Sequence, residues 1–172
     1  LENVKIFEGK EDSSNIITDI SEVFLGFDFW DIIGGRIDIN DIKLKDGKID
    51  LVQHLDGSLN IEVALTSKAE IKNASKEFHL AIHEIELENM DINKYIEETK
   101  MLFDALIYEA DAKLTTSSLH TYVFFDSKFE LNIINDGDTS FIKHKHFDLH
   151  TKLDYQTEKE ILTFQPTKIQ LE

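Results

Sequence analysis

The run His144-Lys145-His146-Phe147-Asp148-Leu149-His150 has residue types and spacing that could do chemistry. On an extended strand alternate side chains share a face, so His144, His146, Asp148 and His150 stand in one row. A His-x-His pair can place two imidazoles on one ion, which makes zinc-type ligation the chemistry to consider. Phe147 and Leu149 take the opposite face, and this sets the histidines on the solvated side. A third ligand close in space is also needed, and the sequence identifies none, so no metal ligands are assigned. His79, His83 and Glu84 read as bulge and surface residues. The acidic pairs Glu97-Glu98 and Asp136/Asp138 fall in turns, where carboxylates are commonly just solvated. No nucleophile motif, phosphate loop or dinucleotide fingerprint occurs. The expectation is a non-enzymatic protein with no catalytic residues and no cofactor.

The elements that position these residues are bounded first by composition. The 172 residues suit a single β domain, with one proline, seven glycines and no low-complexity tract. Eighteen basic against 34 acidic side chains give a net charge of −16, and Arg36 is the lone arginine. Such a chain repels phosphate backbones, so nucleic acid is excluded as a partner, and adsorption to an anionic membrane is disfavoured. With no cysteine there are no disulfides and no thiolate chemistry. No stretch approaches the roughly 20 apolar residues that cross a bilayer as a helix.

A strand pattern occurs twice, 43 residues apart. Residues 37–49 read IDINDIKLKDGKI and residues 80–92 read LAIHEIELENMDI, matching Ile37 with Leu80, Ile39 with Ile82, Ile42 with Ile85, Leu44 with Leu87, Asp46 with Asn89 and Ile49 with Ile92. Apolar residues alternate at 37 and 39, slip by one, and resume at 42 and 44. A β-bulge at Asn40-Asp41, and at His83-Glu84 in the second copy, would keep them on one face. A partial third copy is formed by Phe164, Pro166, Ile169 and Leu171, with its bulge at Thr167-Lys168. The chain reads as a section of a longer array of β units.

Asp46-Gly47 suits a two-residue hairpin that sets Leu44 opposite Ile49 and Ile42 opposite Leu51. Asp56-Gly57-Ser58 suits a three-residue loop pairing Leu51 with Val63 and Ile49 with Leu65. Three consecutive antiparallel strands are thus expected between Ile37 and Leu65. Leu119, Val123 and Phe125 alternate on one strand, and Phe129, Leu131 and Ile133 on the next. After a turn at Asn135-Asp136-Gly137-Asp138 come Phe147, Leu149, Leu153 and Tyr155. Residues 28–33, before Gly34-Gly35, suit a short helix, with Trp30, Phe27 and Phe29 as a hydrophobic plug. Residues 91–112 fit helix or strand, and strand is taken for 101–115.

The fold class is therefore mainly β: a curved antiparallel sheet of repeated β-hairpin units with bulges, folded over into an open groove or a sandwich, with one or two short helices. Strands that alternate this cleanly have one apolar face, which must be covered by a sheet, a helix, a partner or a ligand. Its candidate lining is Ile37, Ile39, Ile42, Leu44, Ile49, Leu51, Val63 and Leu65. A closed core and an accessible groove both satisfy the pattern.

The first 70 or so residues resemble the N-terminal periplasmic region of AsmA-like proteins of the Gram-negative envelope. The resemblance runs through Leu1-Glu2-Asn3-Val4, Val23-x-Leu25-x-Phe27, and Phe29, Ile32 and Ile33 before Gly34-Gly35. It continues through Ile39-x-x-Ile42-x-Leu44-x-Asp46-Gly47-x-Ile49-x-Leu51 to Asp56-Gly57-Ser58-Leu59-Asn60-Ile61, similar to that family's recurrent Gly-x-x-Asn element. Residues 71–172 share only the texture of further β units. The resemblance implies a role in outer-membrane biogenesis or intermembrane phospholipid transport along an apolar β groove. It implies a periplasmic location, and a membrane anchor upstream that this chain does not contain. The expected partners are phospholipid acyl chains and other envelope proteins. The alternative is a structural or adaptor module with a closed core.

Overall fold

In the computed structural model the chain forms one open, curved sheet of nine strands. The structure describes residues 1–8, 15–27, 37–62, 78–117, 119–135, 139–156, 158–165 and 167–171. The strands are β1 (Glu2–Phe7), β2 (Ile16–Phe27), β3 (Ile37–Gln53), β4 (Phe78–Ile96), β5 (Met101–Thr116), β6 (His120–Asn135), β7 (Thr139–Gln156), β8 (Ile161–Phe164) and β9 (Lys168–Leu171). They lie side by side in chain order, and β8 and β9 run end to end along β7. The accessible surface is 11987 Å², against roughly 8,700 Å² for a compact chain of this mass.

All strand pairs are antiparallel except β3 and β4, which run parallel. The 43-residue repeat is the register of that parallel pair: Asp41 lies beside Glu84, Ile42 beside Ile85, Leu44 beside Leu87 and Ile49 beside Ile92. Before Asp41 the ladder shifts, so that Ile39 meets Leu80. Against β2 that shift is a single extra residue, Asn40, as the slip in the apolar pattern requires.

Two expected chain reversals and one expected strand are corrected, while the turn at Asp56-Gly57-Ser58 does form. The Asp46-Gly47 hairpin is absent, and β3 continues through it. Asp46 alone adopts positive φ, at 51°, and so does its repeat mate Asn89, at 52°. One left-handed residue turns the following side chains to the other face without reversing the chain. The apolar series therefore passes from Ile42 and Leu44 to Ile49 and Leu51 within one strand. Gly47 has no positive φ; it is small because a Cβ there would lie 2.8 Å from Ile20 Cα. Secondly, the strand expected at 59–65 does not form where it is described: Leu59 makes one bridge to Gln53, and residues 60–62 are helical. Thirdly, 119–133 is not two strands, because β6 runs unbroken through Asp126-Ser127-Lys128.

Three of the described positive-φ residues, Asn3, Asp46 and Asn89, line up, while Lys100, His144 and Glu160 lie elsewhere. Asn3 (φ 52°) is level with Ser21, Ser21 with Asp46, Asp46 with Asn89, and Asn89 with Tyr108, the extra residue of β5. Each strand switches facing at the same level, so the ladder is preserved on both sides of a crease crossing five strands. Asn89 Nδ2 donates to Asp46 Oδ1 at 2.6 Å along this line. Strand β5 covers 101–116 as expected. Between β8 and β9 the partners on β7 advance by four residues (Leu153 to Leu149) while the chain advances by five (Phe164 to Ile169). The one-residue slip of the third copy is thus present. The expected helix at 28–33, with Phe29 and Trp30, lies outside the described residues, as does the centre of the turn at 136–138.

Candidate functional site

Register and facing together assign the apolar side of the sheet row by row. One row runs Val23, Leu44, Leu87, Ala110, Ser127, Leu149, Ile169. Across the crease, the next runs Val4, Ile20, Gly47, Met90, Ile107, Phe129, Phe147, Leu171. The Phe129 and Phe147 rings stack with centroids 5.1 Å apart.

This face has two regimes. Over β2–β4, Ile20, Val23 and Met90 form a buried cluster, with Val4, Leu25, Leu44, Ile49, Leu87, Ile92 and Ile107 packed against it. Met90 has no exposed surface at all. Every buried apolar residue among those described (Ile17, Ile20, Val23, Ile39, Met90, Ala110) lies on β2–β5. From β6 onward the apolar side chains are half-buried, and at the β8/β9 edge Leu162, Phe164, Ile169 and Leu171 are 50–67 % exposed. Along β6 the lane from Val123 to Ile133 spans ten residue steps, about 34 Å.

The candidate lining residues fall mainly in the first regime. Ile39 is buried, Leu44 and Ile49 pack on the Met90 cluster, and Ile42 and Leu51 are half-buried in the same series. Ile37 belongs to β3 by its backbone. Val63 and Leu65 lie outside the described residues. The accessible part of the face is built from residues not singled out as lining: Phe125, Phe129, Leu131, Ile133, Phe147 and Leu149. Their alternation was visible; their lack of cover was not, because period-two alternation records which face a residue takes and nothing about what lies above it.

Asn60, the last residue of the Gly-x-x-Asn element, is buried. Its Nδ2 donates to Asp50 O at 3.0 Å, and its Oδ1 accepts from Val52 N at 3.1 Å. The last pair between β2 and β3 is Thr18 with Ile49, so the Asn60 amide replaces β2 for the next backbone groups of β3 and leaves them satisfied. The element therefore ends an edge and takes no part in any visible chemistry. Its loop is held by Asp56, whose carboxylate accepts from the Ser58 hydroxyl and amide; those bonds lower its pKa.

The opposite face is a lattice of ion pairs. Lys43 reaches Glu88 and Glu86 at 3.0 and 3.2 Å, and Lys45 reaches Glu88 at 3.0 Å. Hydrogen bonds to these lysines hold the Glu88 carboxyl below its usual range and raise the two lysines. Among the described residues Glu84, Glu86 and Asp111 are the trio whose oxygens converge as a cation site would require. Lys113 already sits between Glu84 and Asp111, at 2.9 and 3.3 Å. A depression of about 440 Å³ over β3–β7 contains six carboxylates (Glu86, Glu88, Glu109, Asp111, Asp126, Asp148), each met by a lysine or histidine.

The histidine run takes this polar side, with Phe147 and Leu149 facing away from it. His144 and His146 both turn to Glu130, directly at the first and at 3.8 Å at the second. The His144 hydrogen bond lowers the Glu130 pKa despite partial desolvation. His146 also stacks on Tyr108 at 6.1 Å. His150 pairs with Asp126 and approaches Asp148 at 3.0 Å, a charge contact without hydrogen-bond geometry, since Asp148 Oδ1 has no hydrogen-bond partner. Each imidazole stitches β7 to β6 and is 47–65 % exposed, and this cluster does not bring three ligand atoms together.

Fold and geometry define a one-layer β-sheet protein whose described apolar face is most deeply buried on β2–β5 and most exposed on β8 and β9. No protein-family model matches this chain, and no curated protein or solved structure does either. Among the described residues no helix is long and apolar enough to cross a membrane.

Proposed function

We propose that this chain is a section of an AsmA-like envelope protein that holds phospholipid acyl chains along its apolar face, on the periplasmic side of the Gram-negative envelope, in support of outer-membrane biogenesis or phospholipid transport. The observation that carries this reading is the lane over β6–β9: half-buried to exposed aromatic and aliphatic side chains in successive rows. Exposed apolar surface of this extent marks a binding face. Its length of about 34 Å is roughly twice the ~15 Å of one leaflet of a bilayer's hydrocarbon core. The resemblance through Val23-x-Leu25-x-Phe27 and Asp56-Gly57-Ser58-Leu59-Asn60 supplies the envelope context.

The test is lipid occupancy. The chain, purified from the periplasm of a Gram-negative host, is expected to carry phospholipid by native mass spectrometry, and after delipidation to bind an acyl-labelled fluorescent phospholipid. Leu149→Gln, in the lane, should weaken binding about tenfold, in line with losing one buried leucine's transfer energy. Phe124→Gln, on the polar face, should leave it unchanged. A folded protein that neither co-purifies with lipid nor binds the probe would overturn the proposal in favour of an adaptor module.

A further inference from the structure

The apolar face carries charge in only two described positions, and both are lysines. Lys94 follows Met90 and Ile92 on β4, between Leu51 on β3 and Phe103 on β5. Lys145 precedes Phe147 and Leu149 on β7, opposite Leu131 on β6. Both stand at the same end of the sheet, bracketing a floor of Phe103, Leu131 and Ile133. Acidic residues outnumber basic ones 34 to 18 in this chain, yet none of the described ones faces this side within β2–β9.

Lys5, Lys43, Lys45, Lys48, Lys113 and Lys128, all on the polar side, each have a carboxylate oxygen within 3.1 Å. Lys94 and Lys145 have none among the described residues. Of the described strand lysines they share this with Lys143, Lys168 and Lys152, the last lying over the Tyr122 and Phe124 rings, but they alone stand on the apolar face. An inward-pointing lysine is a known guard on an edge strand, and β7 is an edge beyond Phe147. That account reaches Lys145 but not Lys94, whose strand lies between two others. Lys94 is half-buried and Lys145 exposed; an ammonium beside apolar side chains is stabilised by an anion brought to it, and no described carboxylate of this face supplies one.

We propose that the Lys94/Lys145 end of the apolar face binds the phosphate headgroup of a phospholipid whose acyl chains lie along the lane, with net anionic phospholipids preferred. This rests on the acyl-binding reading above and adds polarity to it: headgroup at the Lys94/Lys145 end, chains toward Val123 and Leu153. Lysine stems lie along apolar surface while their ammonium groups reach the rim, which suits an amphiphile.

The test uses the intact, delipidated chain and two acyl-labelled fluorescent probes, phosphatidylglycerol and phosphatidylcholine, titrated at low and high salt. Wild type is expected to bind phosphatidylglycerol more tightly, with the difference shrinking as salt rises. Lys94→Gln/Lys145→Gln should weaken phosphatidylglycerol binding about tenfold and phosphatidylcholine binding less, as expected for losing two modest ion pairs. The double Arg variant should retain the preference, and Lys159→Gln, in the β7–β8 turn, controls for net charge. Equal binding of both probes, unchanged in the double Gln variant, would overturn the headgroup assignment while leaving the acyl lane intact. Failure of wild type to bind either probe would overturn both.

Discussion

Over β2–β4 the apolar face encloses Met90 completely and Ile20 and Val23 nearly so, whereas over β6–β9 the same face leaves its leucines and phenylalanines half-covered or bare. Both regions obey the same alternation and share the same rows. What differs is burial, and burial decides whether an apolar row stabilises the fold or waits for a ligand. The largest expected effect tests this difference directly. Met90→Ala should cost about 2–5 kcal/mol, as for other buried methionines, because both transfer energy and a cavity are at stake. Leu162→Ala, half-exposed on β8, should cost less than about 1 kcal/mol. Chemical denaturation with a common m-value measures both. Equal losses would mean that the two regions are one continuous core.

A smaller effect sharpens the closed region. In Gly47→Ala the new Cβ would meet Ile20 Cα at 2.8 Å and Asp19 O at 2.9 Å, both backbone atoms of β2 that cannot rotate away. Strand β2 must shift, and overpacking of this kind costs about 1–3 kcal/mol. The same substitution at Gly57, which has open space around it but a φ of 87°, acts only through backbone strain. Gly47→Ala should therefore lower Tm by more than Gly57→Ala. The reverse order would favour a turn at Gly47.

Much of the closed region was legible in the sequence, and its errors share a cause. The 43-residue repeat gave the true register from Asp41 onward because identical side-chain series stack best side by side. It could not give direction, since a hairpin at Asp46-Gly47 and a left-handed residue at Asp46 move the apolar series from Leu44 to Ile49 equally well. Asp and Asn at the repeat-matched positions 46 and 89 were the available clue, because both tolerate positive φ. Ser127 misled in the same way. It reads as a turn residue between Asp126 and Lys128 yet is buried mid-strand, with its Oγ lacking a partner. The histidine run also has a neighbour that only register reveals: Glu130, the cross-strand partner of His146, which pairs with the imidazoles without making a three-ligand site. The open lane was legible as strands but not as open.

The smallest effect contrasts two seams of the polar face. On the β6–β7 seam Glu130, Asp126 and Asp154 are each held by a histidine. On β4, Asp91 has no such support: its Oδ1 is buried without a hydrogen-bond partner. Desolvation, then the nearby Asp104 and Asp50 carboxylates, raise its pKa, and Lys48 offsets them only in part. A carboxyl whose folded pKa lies above its unfolded value opposes folding most at neutral pH, where it must be charged. That opposition fades as pH falls through the folded value and is gone below the unfolded one, about 3.9. Asp91→Asn should raise Tm by about 1–2 °C at pH 7, with the gain vanishing near pH 3. Glu130→Gln has the opposite sign: its depressed pKa contributes stability above the unfolded carboxyl value, so its removal should lower Tm at pH 7 and matter less in acid. Thermal melts of both variants across pH 3–7 should therefore diverge upward and downward from wild type as pH rises. Parallel curves would show that the two polar seams carry charge in the same way.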